Sequence, residues 1–206
     1  MKFPHNISRI EAFSDAVFAF AATLLVVSVG DTDSGSILKV DWRVFLSFGV
    51  SFFVLVSLWS VHYNFFRRTK HMDNWIIALN SILLFVVLYY IFPLKSLIDT
   101  WASGNGLNVE EFSSLFQLYS LGFFLIFLCF SLMYLRAYKK TKSIENAIQL
   151  LFYARHFGIY VFVSLLSILL AKFKIGLLFA LPGLIYALLG PLCYVHGVQF
   201  EKNRLS

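Results

Sequence analysis

A polar segment opens the first long apolar stretch of the chain. Ser14 and Asp15 lie immediately before the run from Ala16 to Val29, in which only Thr23 and Ser28 are polar. A carboxylate held inside a membrane span costs about 2.5–3.5 kcal/mol at the bilayer centre and less toward the interface. The sequence therefore predicts polar partners for Asp15.

Later stretches supply side chains suited to that role. Trp59 and His62 are three residues apart in the second apolar stretch and so share a helix face, and Asn80 lies in the third. Burying such groups without hydrogen bonds would be costly. We predict one polar network at the end where the first span begins, formed by Arg9, Ser14, Asp15, Trp59, His62 and Asn80. The network either fixes the direction in which the first helix faces or is a structural cluster with no further role.

The helical period divides the first span into two stripes. A stripe of small residues, at which another helix can approach closely, comprises Ala12, Asp15, Ala19 and Ala22. A larger apolar stripe comprises Phe13, Ala16, Phe20, Leu24 and Val27, with Thr23 beside it. By composition alone, contact with lipid or with a core accounts for this second stripe.

The composition of the whole chain predicts an all-α membrane protein. Apolar residues make up 59% of the chain and its mean hydropathy is +0.77, whereas soluble domains are roughly 45–50% apolar. A length of 206 residues suffices for six spans of about 20 residues with short loops. We therefore predict one six-helix transmembrane domain over residues 1–206, with no cleaved leader before the first span.

The hydropathy pattern sets the expected bounds of the helices. The predicted spans cover about residues 10–29, 45–66, 75–98, 112–135, 148–171 and 175–200. The apolar part of the fifth is short, so its helix is expected to start near Ile144. Proline should bend the third span at Pro93, and should bend or break the sixth at Pro182 and Pro191.

Basic residues predict the orientation. Twelve of the 17 Lys and Arg residues fall on the side of the N-terminus, in the loops or at the helix ends. By the positive-inside rule, both termini are cytoplasmic in a multi-pass protein of the cell membrane. The basic residues lie between spans, so they do not indicate nucleic-acid binding.

Motifs for other chemistry are missing. The sequence contains no Gly-rich phosphate loop, no HExxH and no GxSxG, so we expect no enzyme activity and no catalytic residues. Cys129 and Cys193 lack metal-type spacing, so we expect neither a metal site nor a cofactor. Asp31 and Asp33 fit a solvated turn that can still draw cations. The TVGYG filter of ordinary potassium channels is also missing.

The start of the first span nevertheless carries a specific motif. Arg9-x-x-x-Phe13-Ser14-Asp15 and the Ala-rich apolar run after it resemble the first helix of the transmembrane protein 175 family. These are lysosomal and bacterial potassium channels without the usual selectivity filter. Trp59-x-x-His62, Asn80 and Pro93 agree with the match. The resemblance covers about the first 95 residues and is only hydropathic beyond them. It adds Phe13, as part of the motif, to the structural polar network.

The resemblance implies a homotetramer in a bacterial inner membrane, with four first helices lining one pore. The positions that match the family's constriction are Phe20, Leu24 and Val27, and Thr23 matches its selectivity ring. The permeating potassium ion and the lipid bilayer are then the expected ligand and surroundings. The chain has Phe20 where related proteins usually have Leu or Ile, which leaves the dimensions of the closed pore open.

Four functions remain open at this point. The leading one is a potassium-permeable channel, weakly selective for potassium over sodium and gated by a hydrophobic constriction on the first helix. The second is proton conduction through the same pore, which the resemblance implies because the animal lysosomal member also passes protons; its clue in the sequence is the pairing of His62 and Asp15. The third is a secondary transporter, which would need inverted repeats and broken helices at mid-membrane; only Pro182 and Pro191 suggest one. The fourth is a membrane enzyme, which would need an acid–base or metal cluster that the sequence does not show.

Overall fold

The structure is a computed structural model that describes residues 7–27, 42–69, 71–103 and 108–205. Its helices, in chain order, are α1 (Ile7–Val27), α2 (Trp42–Arg68), α3 (Asn74–Ser103), α4 (Val109–Lys140), α5 (Ile144–Lys172), α6 (Leu181–Leu184) and α7 (Leu189–Leu205). Two 3₁₀ segments, Leu177–Phe179 and Ile185–Leu188, flank α6. Among the described residues, six segments are long and apolar enough to cross a membrane, namely α1 to α5 and the stretch Leu181–Lys202.

The predicted fold class is confirmed. The described residues form helices and connecting turns without a strand, and the number of membrane-capable helices matches the predicted six. Several helices extend beyond the apolar runs, and polar side chains cap the starts of α3, α4 and α5. Asn108 and Glu111 form a reciprocal capping box that starts α4 three residues before the predicted span. The fifth helix begins at Ile144, where it was expected.

The start of the sixth span differs from the prediction. The chain turns after α5 instead of entering a helix at residue 175, and Gly176 adopts a φ of 65°. A Cβ at Gly176 would lie 2.7 Å from the Leu181 side chain, so this tight turn requires glycine. Pro182 lies at the start of α6, and Pro191 lies in the first turn of α7, where its missing N–H breaks no helical hydrogen bond.

Helices α3, α4 and α5 form the centre of the subunit, and α1 packs against α2 and α3 on one side. The core is rich in aromatic residues contributed by several helices. The Phe65 ring meets the Tyr134 ring edge-on at 4.9 Å, and Phe127 stacks on Tyr160 at 4.5 Å. The segment α7 lies at the edge, against α5, with most of its side chains exposed.

Polar contacts tie helix ends together. Asp73 accepts hydrogen bonds from the Ile76 backbone N–H at 3.0 Å and from Arg136 Nε at 2.8 Å, so it caps α3 and links that helix to α4. Burial alone would raise the pKa of Asp73, but hydrogen bonds from Ile76, Arg136 and His71 outweigh burial and lower the pKa. At the opposite end of α4, Lys174 forms an ion pair with Glu110.

Candidate functional site

The face of α1 that enters the subunit core carries Ser14, Phe18, Ala21 and Leu25, all buried. The stripe of small residues, at which close approach of another helix is predicted, is not this buried face. Ala12 and Ala19 of that stripe are exposed, and only Asp15 and Ala22 are half-buried. The helix is apolar nearly all round beyond Asp15, so hydropathy gave no signal for the true packed face.

Three of the predicted network residues form a directional chain of hydrogen bonds. His62 Nε2 lies 2.8 Å from Asn80 Oδ1, Asn80 Nδ2 donates to Ser14 Oγ at 3.0 Å, and Ser14 Oγ donates to the Ile10 carbonyl at 2.9 Å. An amide oxygen only accepts, so Nε2 of His62 carries the proton. The side chains of His62, Asn80 and Ser14 are buried. Their hydrogen bonds connect α2 to α3 and α3 to α1.

Asp15 has a separate partner. Trp59 Nε1 donates to Asp15 Oδ1 at 2.8 Å, and this bond joins α1 to α2. Among the described residues, no hydrogen bond connects the Asp15–Trp59 pair to the hydrogen-bonded series formed by His62, Asn80 and Ser14. The structure therefore arranges five of the predicted residues as two hydrogen-bonded groups, where the sequence predicted one.

The remaining two predicted members lie on the exposed side of α1. Arg9 is exposed in the early turns of the helix. Phe13 is 63% exposed, and its phenyl ring has no hydrogen-bonding atom, so it belongs to neither hydrogen-bonded group. Its place in the structural polar network stays a prediction from the motif.

One neighbour of the network was missed in the sequence. The ring of Phe18, on α1, lies 5.3 Å from the His62 ring. The ring of Phe66, on α2 like His62, lies 4.9 Å from it. Phe18 follows Ser14 by four residues, so its helical spacing would have placed it on the same face. These two aromatic rings pack against the buried His62 ring.

The larger apolar stripe of α1 faces away from the subunit. Phe20 is 56% exposed and Val27 is 69% exposed, while Leu24 is half-buried. By the 100° period, Phe20 and Val27 lie about 130° and about 150° from the centre of the buried face, and Leu24 lies at its flank, about 90° away. A single subunit thus leaves large apolar side chains of α1 uncovered over about two turns.

Thr23 is the polar residue beside this stripe. It is exposed, and its Oγ1 donates a hydrogen bond to the Phe20 carbonyl at 2.7 Å. The hydroxyl proton is thereby directed at the backbone, and the oxygen lone pairs point outward. An oxygen held in this way can replace part of the hydration shell of a cation.

A groove of about 390 Å³ separates α1 from α2 on the remaining side of the first helix. Ala19 and Ala22 line it from α1, Phe52 and Leu55 line it from α2, and the Asp15–Trp59 pair closes one end. In the part of the chain that the structure describes, no three His, Cys, Asp or Glu side chains gather as a metal site would require. Asp31 and Asp33, predicted as a cation-attracting turn, lie outside the described residues.

Comparison with known proteins points to one family. The sequence model described as "Endosomal/lysosomal potassium channel TMEM175" matches residues 9–90. A potassium channel of Marivirga tractuosa is 39% identical over 153 residues, which is 67% of this chain and 62% of that protein. A potassium channel of Streptomyces collinus is 35% identical over 85 residues, covering 38% of this chain and 41% of its own length. The chain therefore spans less than two thirds of the curated relatives that it matches.

Solved structures extend the similarity to nearly the full chain. A threonine-to-alanine variant of the potassium channel MtTMEM175, crystallised with a Nanobody-MBP fusion protein, is 30% identical with a TM-score of 0.79. That match covers 94% of this chain and 93% of the other. A lysosomal potassium-selective channel TMEM175 homolog from Chamaesiphon minutus is 21% identical with a TM-score of 0.65, over 94% and 97% of the two chains, and shares the fold.

Proposed function

The chain belongs to the TMEM175 family, and we propose that it forms a potassium-permeable cation channel, weakly selective for potassium over sodium. The relatives reported above are themselves described as potassium channels rather than enzymes. The family match includes all of α1 from Arg9 onward, together with α2 and most of α3. These are the helices that hold the two hydrogen-bonded groups and the exposed apolar stripe.

The exposure of the apolar stripe on α1 is the observation that carries the proposal. Phe20 and Val27 leave a large apolar surface uncovered, on the side of α1 turned away from its own subunit. A closed homotetrameric ring would bring four such stripes to one axis. An apolar ring narrow enough to expel water blocks ions, and a wider one lets water and ions pass. Phe20, Leu24 and Val27 would form this gate.

The polar groups have supporting roles in this arrangement. The hydrogen bonds from His62 through Asn80 to Ser14 attach α1 on one side. The separate Asp15–Trp59 bond attaches it at a second position around its axis. A helix fixed from both α2 and α3 cannot rotate freely, so the stripe keeps its direction toward the axis. Thr23 would then present its hydroxyl oxygen to the permeating ion and produce a modest preference for potassium.

The proposed location is the bacterial inner membrane, with both termini in the cytoplasm. Six membrane-capable helices make the protein a multi-pass membrane protein, and an even number of crossings puts the two termini on one side. Twelve of the 17 Lys and Arg residues are predicted on that side, which favours the cytoplasm.

The continuity of the first helices favours a channel over a secondary transporter. Helices α1, α2 and α3 each run without interruption through the described residues, and Pro93 lies inside α3 without ending it. The interrupted segment around α6 has no counterpart among them. A transporter built from inverted repeats would be expected to show paired breaks.

Ion flux from liposomes containing the purified protein tests the proposal. We expect channel-like flux of potassium that exceeds that of sodium, with protein-free liposomes as the blank. Slow, saturable exchange would indicate a transporter. A proton current under a pH gradient, without potassium flux, would replace the proposal with a proton channel.

A further inference from the structure

Arg68, the last residue of the membrane-capable helix α2, has two tyrosines as partners of its guanidinium group. Its guanidinium carbon lies 3.9 Å from the centroid of the Tyr153 ring, which belongs to α5. Its Nη1 donates a hydrogen bond to the Tyr134 hydroxyl of α4 at 3.2 Å. Two neutral side chains from two other helices therefore fix an exposed cation.

The aromatic support under this guanidinium is rigid. Tyr134 is fully buried, and its ring contacts the rings of Phe65 at 4.9 Å and Tyr153 at 5.3 Å. Phe65, Tyr134 and Tyr153, from α2, α4 and α5, therefore form a series of ring contacts that leads to the Arg68 guanidinium. A guanidinium held in this way loses little rotamer freedom when it binds a planar or tetrahedral oxyanion.

The charge of Arg68 is not neutralised by a carboxylate in the described part of the chain. The ion pairs found there use other cations, and the nearby Arg136 is one of them, paired with Asp73 at 2.8 Å. A guanidinium carries five N–H donors, and the hydrogen bond to Tyr134 uses one of them. The remaining donors can form a bidentate contact with phosphate oxygens.

The location of the guanidinium indicates where the phosphate comes from. Arg68 ends an apolar, membrane-capable helix, and tyrosines are enriched where such helices meet the membrane interface. Exposed Arg67, Lys139 and Lys140 also end helices α2 and α4 on this side, which adds attraction for anionic lipid. We propose that Arg68, framed by Tyr134 and Tyr153, binds the phosphate of an anionic phospholipid headgroup. The inference does not depend on ion conduction.

Thermal unfolding of the purified protein in detergent tests this site. We expect short-chain phosphatidylglycerol to raise the unfolding temperature more than phosphatidylcholine does. Arg68→Gln should lose most of the additional shift. Arg67→Gln is the matched control, because it removes the same charge one residue away, where the guanidinium lies 5.5 Å from the Tyr63 ring of its own helix. This control should keep most of the shift, because Arg67 adds only general attraction for anionic lipid.

Several outcomes would overturn the site. An equal loss in both variants would show diffuse attraction to the basic surface, and an equal shift from inorganic phosphate would show an anion site without lipid. Equal shifts from the two lipids in the unmodified protein would also refute it. If Arg68→Gln does not fold, Arg68→Lys keeps the charge and removes the planar fork. Retention of the full shift in Arg68→Lys would refute the proposed geometry, and a reduced shift would support it.

Discussion

At the scale of single residues, the direction of a side chain around α1 decides what it does. Ala19 and Phe20 are neighbours at the same depth and in similarly apolar surroundings. Ala19 lines the groove beside α2, whereas Phe20 is exposed on the side turned away from the subunit. The same polar side chain at the two positions therefore tests two different directions around α1.

We expect Phe20→Asn to raise the resting conductance, because a polar ring favours wetting of a hydrophobic gate. Ala19→Asn should instead weaken tetramer assembly or thermal stability without raising the conductance. Flux assays on liposomes, together with size-exclusion chromatography, measure both effects. If Ala19→Asn opened the pore while Phe20→Asn only unfolded the protein, the pore-facing assignment would be wrong by one residue.

Thr23 supplies the only side-chain oxygen near the middle of the exposed stripe. Its hydroxyl donates to the Phe20 carbonyl and keeps the oxygen outward. Thr23→Ala should leave conduction intact and reduce the potassium-over-sodium ratio, whereas Thr23→Ser should keep the ratio because it keeps the oxygen. Reversal potentials in mixed potassium and sodium solutions measure the ratio. An unchanged ratio in Thr23→Ala would remove Thr23 from the proposed selectivity ring.

At the scale of the helices, α3 and α4 approach closely where Tyr90 packs over Gly122. A Cβ at Gly122 would lie 2.5 Å from Cδ2 of Tyr90, a fully buried side chain. We expect Gly122→Ala to destabilise the protein by about 1–3 kcal/mol through overpacking.

Gly158→Ala is the control for that substitution. Nothing lies within 4 Å of the position of its Cβ, so alanine in α5 should be neutral or stabilising by up to about 1 kcal/mol. Thermal unfolding of the two variants in one detergent measures the difference. Equal losses would mean that the α3–α4 contact is looser than the structure indicates.

Asp73 links the start of α3 to the end of α4, and its pKa in the folded protein is below the ordinary value of 3.8. A lowered pKa means that the carboxylate stabilises the fold fully above about pH 4, and that this stabilisation is lost as the pH falls through the lowered pKa. Asp73→Asn should therefore reduce stability at neutral pH, by up to about 1 kcal/mol because the pair is partly exposed.

Acid titration of the unfolding temperature measures this dependence. The difference between Asp73→Asn and the unmodified protein should shrink as the solution is acidified below the lowered pKa. Arg136→Gln, alone and combined with Asp73→Asn, should show non-additive losses at neutral pH if the two side chains act as a pair. A difference that is constant down to the acid limit would contradict the assigned pKa direction.

At the scale of the whole molecule, the basic residues decide which way the bundle sits in the membrane. Six crossings would place both termini on one side of the membrane, and most Lys and Arg residues are predicted on that side. We therefore predict that a reporter fused after Ser206 is cytoplasmic. Paired reporters active only in the cytoplasm or only outside it measure the side. A signal from outside the cytoplasm would reverse the orientation and put the Arg68 headgroup site in the other leaflet.

Most of the fold could be predicted from the sequence, because hydropathy and helical period are local properties. Six apolar stretches gave six membrane-capable helices, and the polar start of the fifth gave its helix start at Ile144. The sixth was less predictable. Its turn at Gly176 depends on a close contact with Leu181, which no periodicity records.

The candidate site was predicted in its members and only partly in its arrangement. Trp59, His62 and Asn80 were identified because polar groups inside apolar spans need partners. The network residues form two groups, the Asp15–Trp59 pair and the hydrogen-bonded series His62–Asn80–Ser14. That division depends on how α1, α2 and α3 approach each other. The motif assigned Phe13 to the network, but a motif gives residue order and does not give the direction of each side chain, and Phe13 is exposed in this subunit.

Sequence alone was enough to predict the number of membrane-capable helices, the residues of the α1 stripe and the side on which positive charge accumulates. Each of these depends on composition and spacing along one helix. Tertiary structure decided which face of α1 is buried and which residues meet Arg68, 66 positions from Tyr134 along the chain. A span that is apolar nearly all round has almost no preferred face of its own, so only packing against α2 and α3 could choose one.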